Sequence, residues 1–253
     1  PQNRRFRQAI ANADSVVYAL IAERRIGAGN QQDLLSLLMA ARDEETGEGL
    51  SDRELLDQTK TIIGAGYETT TQALAWTWYL LARHTEVENK LHAEISEVLD
   101  GRTPTAEDLP RLKYTLMMFQ EAMRLYPPAW AMTRAAIKED EIGGYRVPAN
   151  SEMMLVPYIT HRHPKYWERP EEFYPEHFLP ERQAARPAFA YFPFGGGPRK
   201  CIGNNFALME AQLIIAMVAQ RYRLRLAVER EIEPEASITL RPRGGVRMKL
   251  CRA

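Results

Sequence analysis

Cysteine is nearly absent from this sequence: two residues in 253, Cys201 and Cys251. So low a count excludes a disulfide framework as the organising principle, and it excludes a cysteine-rich zinc site. Net charge is absent too, because 33 Lys and Arg balance 33 Asp and Glu. No summed field therefore recruits nucleic acid or an anionic membrane surface. No apolar run reaches the roughly 18 residues of a membrane span, and the opening residues lack the pattern of a secretory signal. These absences predict a soluble, cytoplasmic chain with no membrane segment and no nucleic-acid partner. What is present is core material. Hydrophobic residues make up 45% of the chain, enough for one large domain, and we expect a single domain over residues 1–253. The sequence opens at Pro1 in an amphipathic pattern already under way, PQNRRFRQAIANADSVVYALIAERR, so we expect further chain upstream of it.

Helical periodicity dominates the first half. Val16, Val17, Leu20 and Ile21 form a stripe, and Leu34, Leu35, Leu37 and Leu38 follow Asp33 as a short helix. The polar tract RDEETGEG reads as a loop. Ser51 and Glu54 then form a capping box for a long central helix over about residues 51–84, apolar almost all round in its middle and so expected to run through the core. A helix from Glu86 to Leu99 is closed by Asp100-Gly101, and another over about 112–126 is stopped by Pro127-Pro128. EIGGYRVPANSEMMLVPYITH carries turn signals between short β-prone runs, which predicts a small sheet beside a helical body. Residues 163–198 are rich in proline and poor in periodicity, and we expect them to form an ordered wrapping loop.

Chemistry is concentrated in FPFGGGPRKCIGNNFALMEAQLIIAMVAQRY, from Phe192 to Tyr222. Three consecutive glycines let the backbone approach a flat or bulky group and free amide N–H groups to point at one atom. Cys201 follows at the entry of a helix expected over residues 202–222. Its unpaired N–H groups and dipole, with Arg199 and Lys200, favour a thiolate. A thiolate so held serves as nucleophile or as metal ligand. A nucleophile needs a base, usually His, and no motif here pairs one with Cys201. A single thiolate without companions suits a metal already held in a macrocycle. The alternative is a buried structural thiol.

Phe194, Gly197, Arg199, Cys201 and Gly203 resemble the F-x-x-G-x-R-x-C-x-G signature of the cytochrome P450 family, the haem-thiolate monooxygenases. The resemblance implies a mainly α fold with small β-sheets, and it covers the family's C-terminal half, so that we expect the N-terminal portion of the fold to be absent from this chain. It implies haem b with Cys201 as axial ligand, Arg199 on a propionate, Phe194 packed on the thiolate side and Gly203 donating its amide toward the sulfur. It also places Pro193, Gly195, Ile202 and Ala207 against the cofactor. Thiolate donation favours cleavage of the O–O bond, which separates such proteins from His-ligated oxygen carriers.

Other segments carry matching motifs. GAGYETT, inside the long helix, resembles the family's A-G-x-[DE]-T-T. Alone, Gly66 reads as a helix-packing residue and Glu68 as a capped or snorkelling acid. Beside a haem, Ala65 and Gly66 let the helix widen locally to admit dioxygen, Thr69 hydrogen-bonds it, Glu68 relays protons and Thr70 contacts the cofactor. Glu121 and Arg124 sit on one face at i, i+3, common on solvated faces, yet their place before LYPP matches the family's E-x-x-R core pair. The usual third member is an arginine in P-E-R-F; here the text is PEHF, with His177. LYPPAWAMTR implies that Ala129, Trp130, Ala131 and Met132 face substrate, with Arg134 on the second propionate, although Trp130 and Met132 equally suit ordinary core. Ile62 and Ile238 are further expected pocket residues. His161, His163 and His177, with Pro164 and Pro170 interposed, lack the i, i+4 spacing of a zinc pair. Cys251 reads as an inert thiol.

The resemblance implies insertion of one oxygen atom from O2 into a small hydrophobic substrate, by hydroxylation or epoxidation. Electrons would come from a ferredoxin or flavoprotein reductase, and the upstream half of the same enzyme would complete the site. Two alternatives stand beside it: a peroxide-driven oxygenase of the same fold, against which Glu68 and Thr69 argue, and a non-catalytic haem-binding fragment or scaffold.

Overall fold

The computed structural model describes residues 2–27 and 33–253; Pro1, where the opening helix is expected to start, lies outside the described residues. The chain divides into two compact units, Pro1–Tyr67 and Glu68–Ala253, and the boundary falls inside one long helix.

In the first unit, α1 (Gln2–Arg25), α2 (Leu34–Ala40) and the start of α3 (Asp52–Arg83) surround Val17, Ile21, Leu35, Leu55 and Leu56. Only part of the predicted stripe is covered, since Val16 and Leu20 are exposed. Val17 and Ile21, four residues apart, share one line along the helix, and Val16 and Leu20 lie about 100° away on it. Asp33 caps α2 by accepting from Ser36 N–H at 2.9 Å. The capping box forms as expected: Ser51 N–H donates to Glu54 Oε2 at 2.8 Å, and Glu54 N–H donates to Ser51 Oγ at 3.3 Å.

The second unit packs the rest of α3 against α4 (Thr85–Leu99), α5 (Lys113–Leu125) and α8 (Asn204–Ala219) around Trp76, Leu91, Met118, Phe119 and Ile215. Trp76 stacks on Tyr126 with ring centroids 3.9 Å apart and donates its indole N–H to Leu240 O at 2.9 Å. The N-terminus of α5 has no capping side chain of its own. Glu94 of α4 supplies the cap, accepting from Tyr114 N–H at 2.5 Å and Thr115 N–H at 2.8 Å. Buried Glu88 on α4 accepts from Arg223 and Arg225, which fastens α4 to the strand that follows α8.

The sheets are two-stranded and antiparallel. β1 (Met132–Ala135) pairs with β4 (Glu152–Leu155), β2 (Asp140–Ile142) with β3 (Tyr145–Val147), β5 (Tyr222–Leu226) with β8 (Met248–Arg252), and β6 (Pro234–Ala236) with β7 (Leu240–Pro242). The short helix α6 (Pro157–Thr160) follows β4, and the proline-rich stretch after it carries 3₁₀ turns and α7 (Pro180–Ala185). The architecture is mainly α with small sheets. No helix among the described residues is long and apolar enough to cross a membrane.

Two expectations are corrected. The helix after the cysteine is shorter than residues 202–222, because Gly203 is its N-cap and Tyr222 already belongs to β5. The middle of α3 is not core: Ile63 and Tyr67 are exposed, while the buried residues are Leu55 and Leu56 in the first unit and Thr70, Ala73, Trp76, Thr77 and Tyr79 to Leu81 in the second.

Candidate functional site

The cysteine loop precedes α8. Gly195 and Gly197 adopt φ of +71° and +66°, a region that disfavours any side chain, so the backbone there can double back only with glycine. A β-carbon at Gly195 would also meet Met132 Sδ at 3.6 Å, which places the loop against the segment after α5. The turn is closed by Cys201 N–H donating to Phe194 O at 2.9 Å. Cys201 is exposed, and a β-carbon on Gly203 would lie 3.9 Å from its sulfur. Pro193 is buried, Phe194 packs against the main core, and Ala207 is half-buried on the first turn of α8.

Glu121 and Arg124 on α5 are wholly buried. The arginine fork meets the carboxylate twice, Nε to Oε2 at 2.8 Å and Nη2 to Oε1 at 2.7 Å. Its remaining N–H groups reach His161 O at 2.9 Å, Pro170 O at 2.6 Å and Glu172 O at 2.8 Å. All five donors are therefore used, the condition for a buried guanidinium to be tolerated. Glu121 also accepts from Tyr174 N–H at 2.9 Å and lies 3.1 Å from His177 Nδ1. Burial works to raise the Glu121 pKa, but Arg124 and His177 outweigh it and hold the carboxyl below its usual range.

His161 links this cluster to the cysteine loop, a role that metal-ligand spacing does not show. Its carbonyl accepts from Arg124, and its Nε2 accepts from Phe192 N–H at 2.9 Å, so the ring proton is on Nδ1. That Nδ1 has no partner and is buried. Burial, reinforced by the Arg124 charge, pushes the imidazole pKa down to about 3. The folded state thus holds this ring neutral while the unfolded chain protonates it near pH 6.5. The contribution to stability is complete above that pH and is lost as pH falls from about 6.5 toward about 3. Between pH 6.5 and 4.5 wild type should lose about 2 kcal/mol more stability than His161→Gln, read by urea denaturation at each pH. Parallel pH profiles would show that the ring does not stay neutral.

A third group of residues lies on α3 and around the β6–β7 hairpin. α3 is regular α-helix through Gly66, without the expected local widening, because its backbone keeps the α-helical pattern throughout. A methyl group on Gly66 would meet nothing within 4 Å, so packing among the described residues does not demand glycine there. Ile62, Ala65 and Gly66 belong to the first unit; Glu68, Thr69 and Thr70 open the second. Thr70 is buried, and Thr69 and Glu68 are half-buried. Glu68 Oε1 accepts from Thr239 Oγ1 at 2.7 Å. The hairpin also meets the segment after α5: Trp130 Nε1 donates to Ser237 O at 2.9 Å, and Leu240 N–H donates to Pro128 O at 3.0 Å. The half-buried Ala129, Trp130, Ala131 and Met132 and the 89%-exposed Ile238 thus sit on segments bonded to one another. Arg134, half-buried on β1, donates to Thr133 O.

Among the described residues no cluster of three or more His, Cys, Asp or Glu side chains could hold a bare ion. Haem would ask only one ligand of Cys201, because its ring supplies the others. The residues fit that group: an exposed thiol, the exposed cations Arg199 and Lys200, and beside them Ile202, 98% exposed, and exposed Phe206. Large apolar side chains in water are what a flat apolar cofactor would cover.

The Cytochrome P450 family model matches residues 1–249. The chain belongs to the cytochrome P450 family. It is 45% identical over 225 residues to cyclooctat-9-en-7-ol 5-monooxygenase of Streptomyces melanosporofaciens, covering 89% of this chain and 49% of that protein. It is 37% identical over 250 residues to pentalenene oxygenase of Streptomyces avermitilis, covering 99% of this chain and 56% of that one. The crystal structure of the cytochrome P450DA heme domain superposes with a TM-score of 0.90 at 35% identity, over 96% of this chain and 55% of that chain. The chain spans about half the length of the curated relatives it matches.

In this cytochrome P450 chain, the resemblance of PEHF to the family's P-E-R-F makes His177 the expected counterpart of its arginine. His177 is buried, its Nδ1 faces Glu121, and its Nε2 has no partner. Half-buried Arg186 lies 3.8 Å over the Trp167 ring, donates to His177 O at 2.6 Å and interacts electrostatically with Glu121. Arg186 thus brings a guanidinium close to His177 and Glu121, a placement that sequence spacing does not reveal. His177→Ala should cost roughly 1–3 kcal/mol by stripping one donor from the buried carboxylate. His177→Arg should retain wild-type haem content, measured spectroscopically after purification; loss of haem in the Arg variant would refute the equivalence.

Proposed function

We propose that the protein is a haem-thiolate monooxygenase in which Cys201 would supply the thiolate that holds the haem iron. Its sum reaction would be RH + O2 + 2 e⁻ + 2 H⁺ → ROH + H2O, or the corresponding epoxidation of a double bond. The observation that carries the reading is the exposed Cys201 thiol, at the end of a glycine-turned loop closed on Phe194 O and flanked by exposed Arg199, Lys200 and Ile202. When bound, haem b would supply the oxidation itself, with a thiolate that favours O–O cleavage. The chain's own residues would do the rest. Arg199 and Arg134 would hold the propionates, and Pro193, Phe194, Gly195, Ile202, Gly203 and Ala207 would contact the cofactor beside Cys201. Ala65, Gly66 and Thr70 of α3 would also contact the cofactor. Thr69 would donate a hydrogen bond toward dioxygen, and Glu68 would deliver the protons in the sum above. Ile62, Ala129, Trp130, Ala131, Met132 and Ile238 would surround the substrate and keep water from it.

For the substrate we propose an apolar compound of the class of pentalenene and cyclooctat-9-en-7-ol, for which two relatives are named. The electron donor would be a ferredoxin or flavoprotein reductase. Thr69→Ala should still consume O2 and reductant with pentalenene as probe, but release peroxide in place of product. An unchanged ratio of product to reductant would reject the assignment of Thr69.

A further inference from the structure

We infer that Thr239 is a positioning residue for the proton relay, fixing the Glu68 carboxylate and tying it to the hairpin tip that carries Ile238. The inference rests on the proposed role of Glu68. Thr239 is buried, and its hydroxyl is spent on Glu68 Oε1 at 2.7 Å. Glu68 Oε2 makes no hydrogen bond among the described residues. One oxygen is therefore anchored and the other is left to carry a proton, which turns a flexible side chain into an oriented donor.

The anchor is itself held. Next to Thr239, Leu240 N–H donates to Pro128 O at 3.0 Å and Leu240 O accepts from Trp76 Nε1 at 2.9 Å. On the other side, Ser237 N–H donates to Thr239 O at 3.2 Å and Ser237 O accepts from Trp130 Nε1 at 2.9 Å. With the backbone pinned on both sides and a β-branched side chain stiff about χ1, the hydroxyl has little freedom to leave. Ile238 lies between these ties and is 89% exposed. An apolar molecule pressing on Ile238 meets the residue next to the one that holds Glu68, so contact with substrate and orientation of the relay share one hairpin.

The test uses Thr239→Val, which keeps shape and loses the hydroxyl, Thr239→Ser, which keeps the hydroxyl, Glu68→Gln for turnover, and Glu68→Met, which removes the acceptor, with the Val/Met double variant for stability. On the full chain, thermal unfolding should be non-additive: the double variant melts close to the lower of the two single variants. Additive losses would overturn the inference without reference to activity. In turnover with pentalenene as probe, Thr239→Val should raise peroxide released per reductant about threefold, and Thr239→Ser should restore the wild-type value. A wild-type value for Thr239→Val, with Glu68→Gln clearly raised, would overturn the inference and leave the relay standing. A wild-type value for Glu68→Gln would reject the relay, and the positioning role with it.

Discussion

Arg124→Ala is expected to destabilise the Glu68–Ala253 unit by about 3–5 kcal/mol. The size follows from what the substitution strands. Five N–H donors disappear, and they serve both oxygens of Glu121 and the carbonyls of His161, Pro170 and Glu172. The carboxylate would remain wholly buried with only Tyr174 N–H and His177 to answer its charge. Each stranded carbonyl adds its own desolvation penalty. Arg124→Lys should recover only part of the loss, because an ammonium has three donors and no planar fork to meet a carboxylate twice. Since a domain's whole stability is about 5–15 kcal/mol, the Ala variant should sit near the folding threshold. Urea denaturation followed by far-ultraviolet circular dichroism measures the difference. A loss below about 1 kcal/mol, the scale of an exposed ion pair, would contradict the description of the cluster. The loop should loosen along with it, since His161 joins Arg124 to Phe192.

Cys201→His should retain some haem but lose monooxygenation by at least about 100-fold, because imidazole cannot supply the electron donation of a thiolate. The substitution is mild for the fold. Cys201 is exposed, and the bond that closes its loop runs through its backbone amide, which histidine keeps. Folding and chemistry can therefore be separated: the melting temperature should shift by little while turnover with a reductase system collapses. Wild-type turnover in the variant would remove Cys201 from the mechanism.

How much of this was legible beforehand depends on how local each feature is. The capping box at Ser51 and Glu54, the αL closure at Asp100 and Gly101, and the i, i+3 pairing of Glu121 with Arg124 are written within one turn of chain, and each appears where the spacing put it. The glycine run ahead of Cys201 likewise fits the positive φ angles of Gly195 and Gly197. What stayed hidden is bonding between side chains remote in sequence. The cap of α5 comes from Glu94, 20 residues away, and the anchor of Glu68 comes from Thr239, 171 residues away. Neither partner has a local pattern to mark it. Ile238 drew attention as a pocket residue, but nothing in ASITLRPRGG distinguishes the threonine beside it. Metal-ligand spacing is no guide to His161, whose ring is a neutral acceptor for one backbone amide. The exposure of Val16, Leu20 and Tyr67 shows the reverse limit, since periodicity finds an apolar face without saying how much of it is covered.

The central claim is that Cys201 provides the thiolate for a haem, and the most direct test is the absorption spectrum of the haem-loaded chain after reduction and addition of carbon monoxide, recorded beside Cys201→His. The account predicts a thiolate-type spectrum for the wild type and an imidazole-type spectrum for the variant. Identical spectra for the two proteins would contradict it.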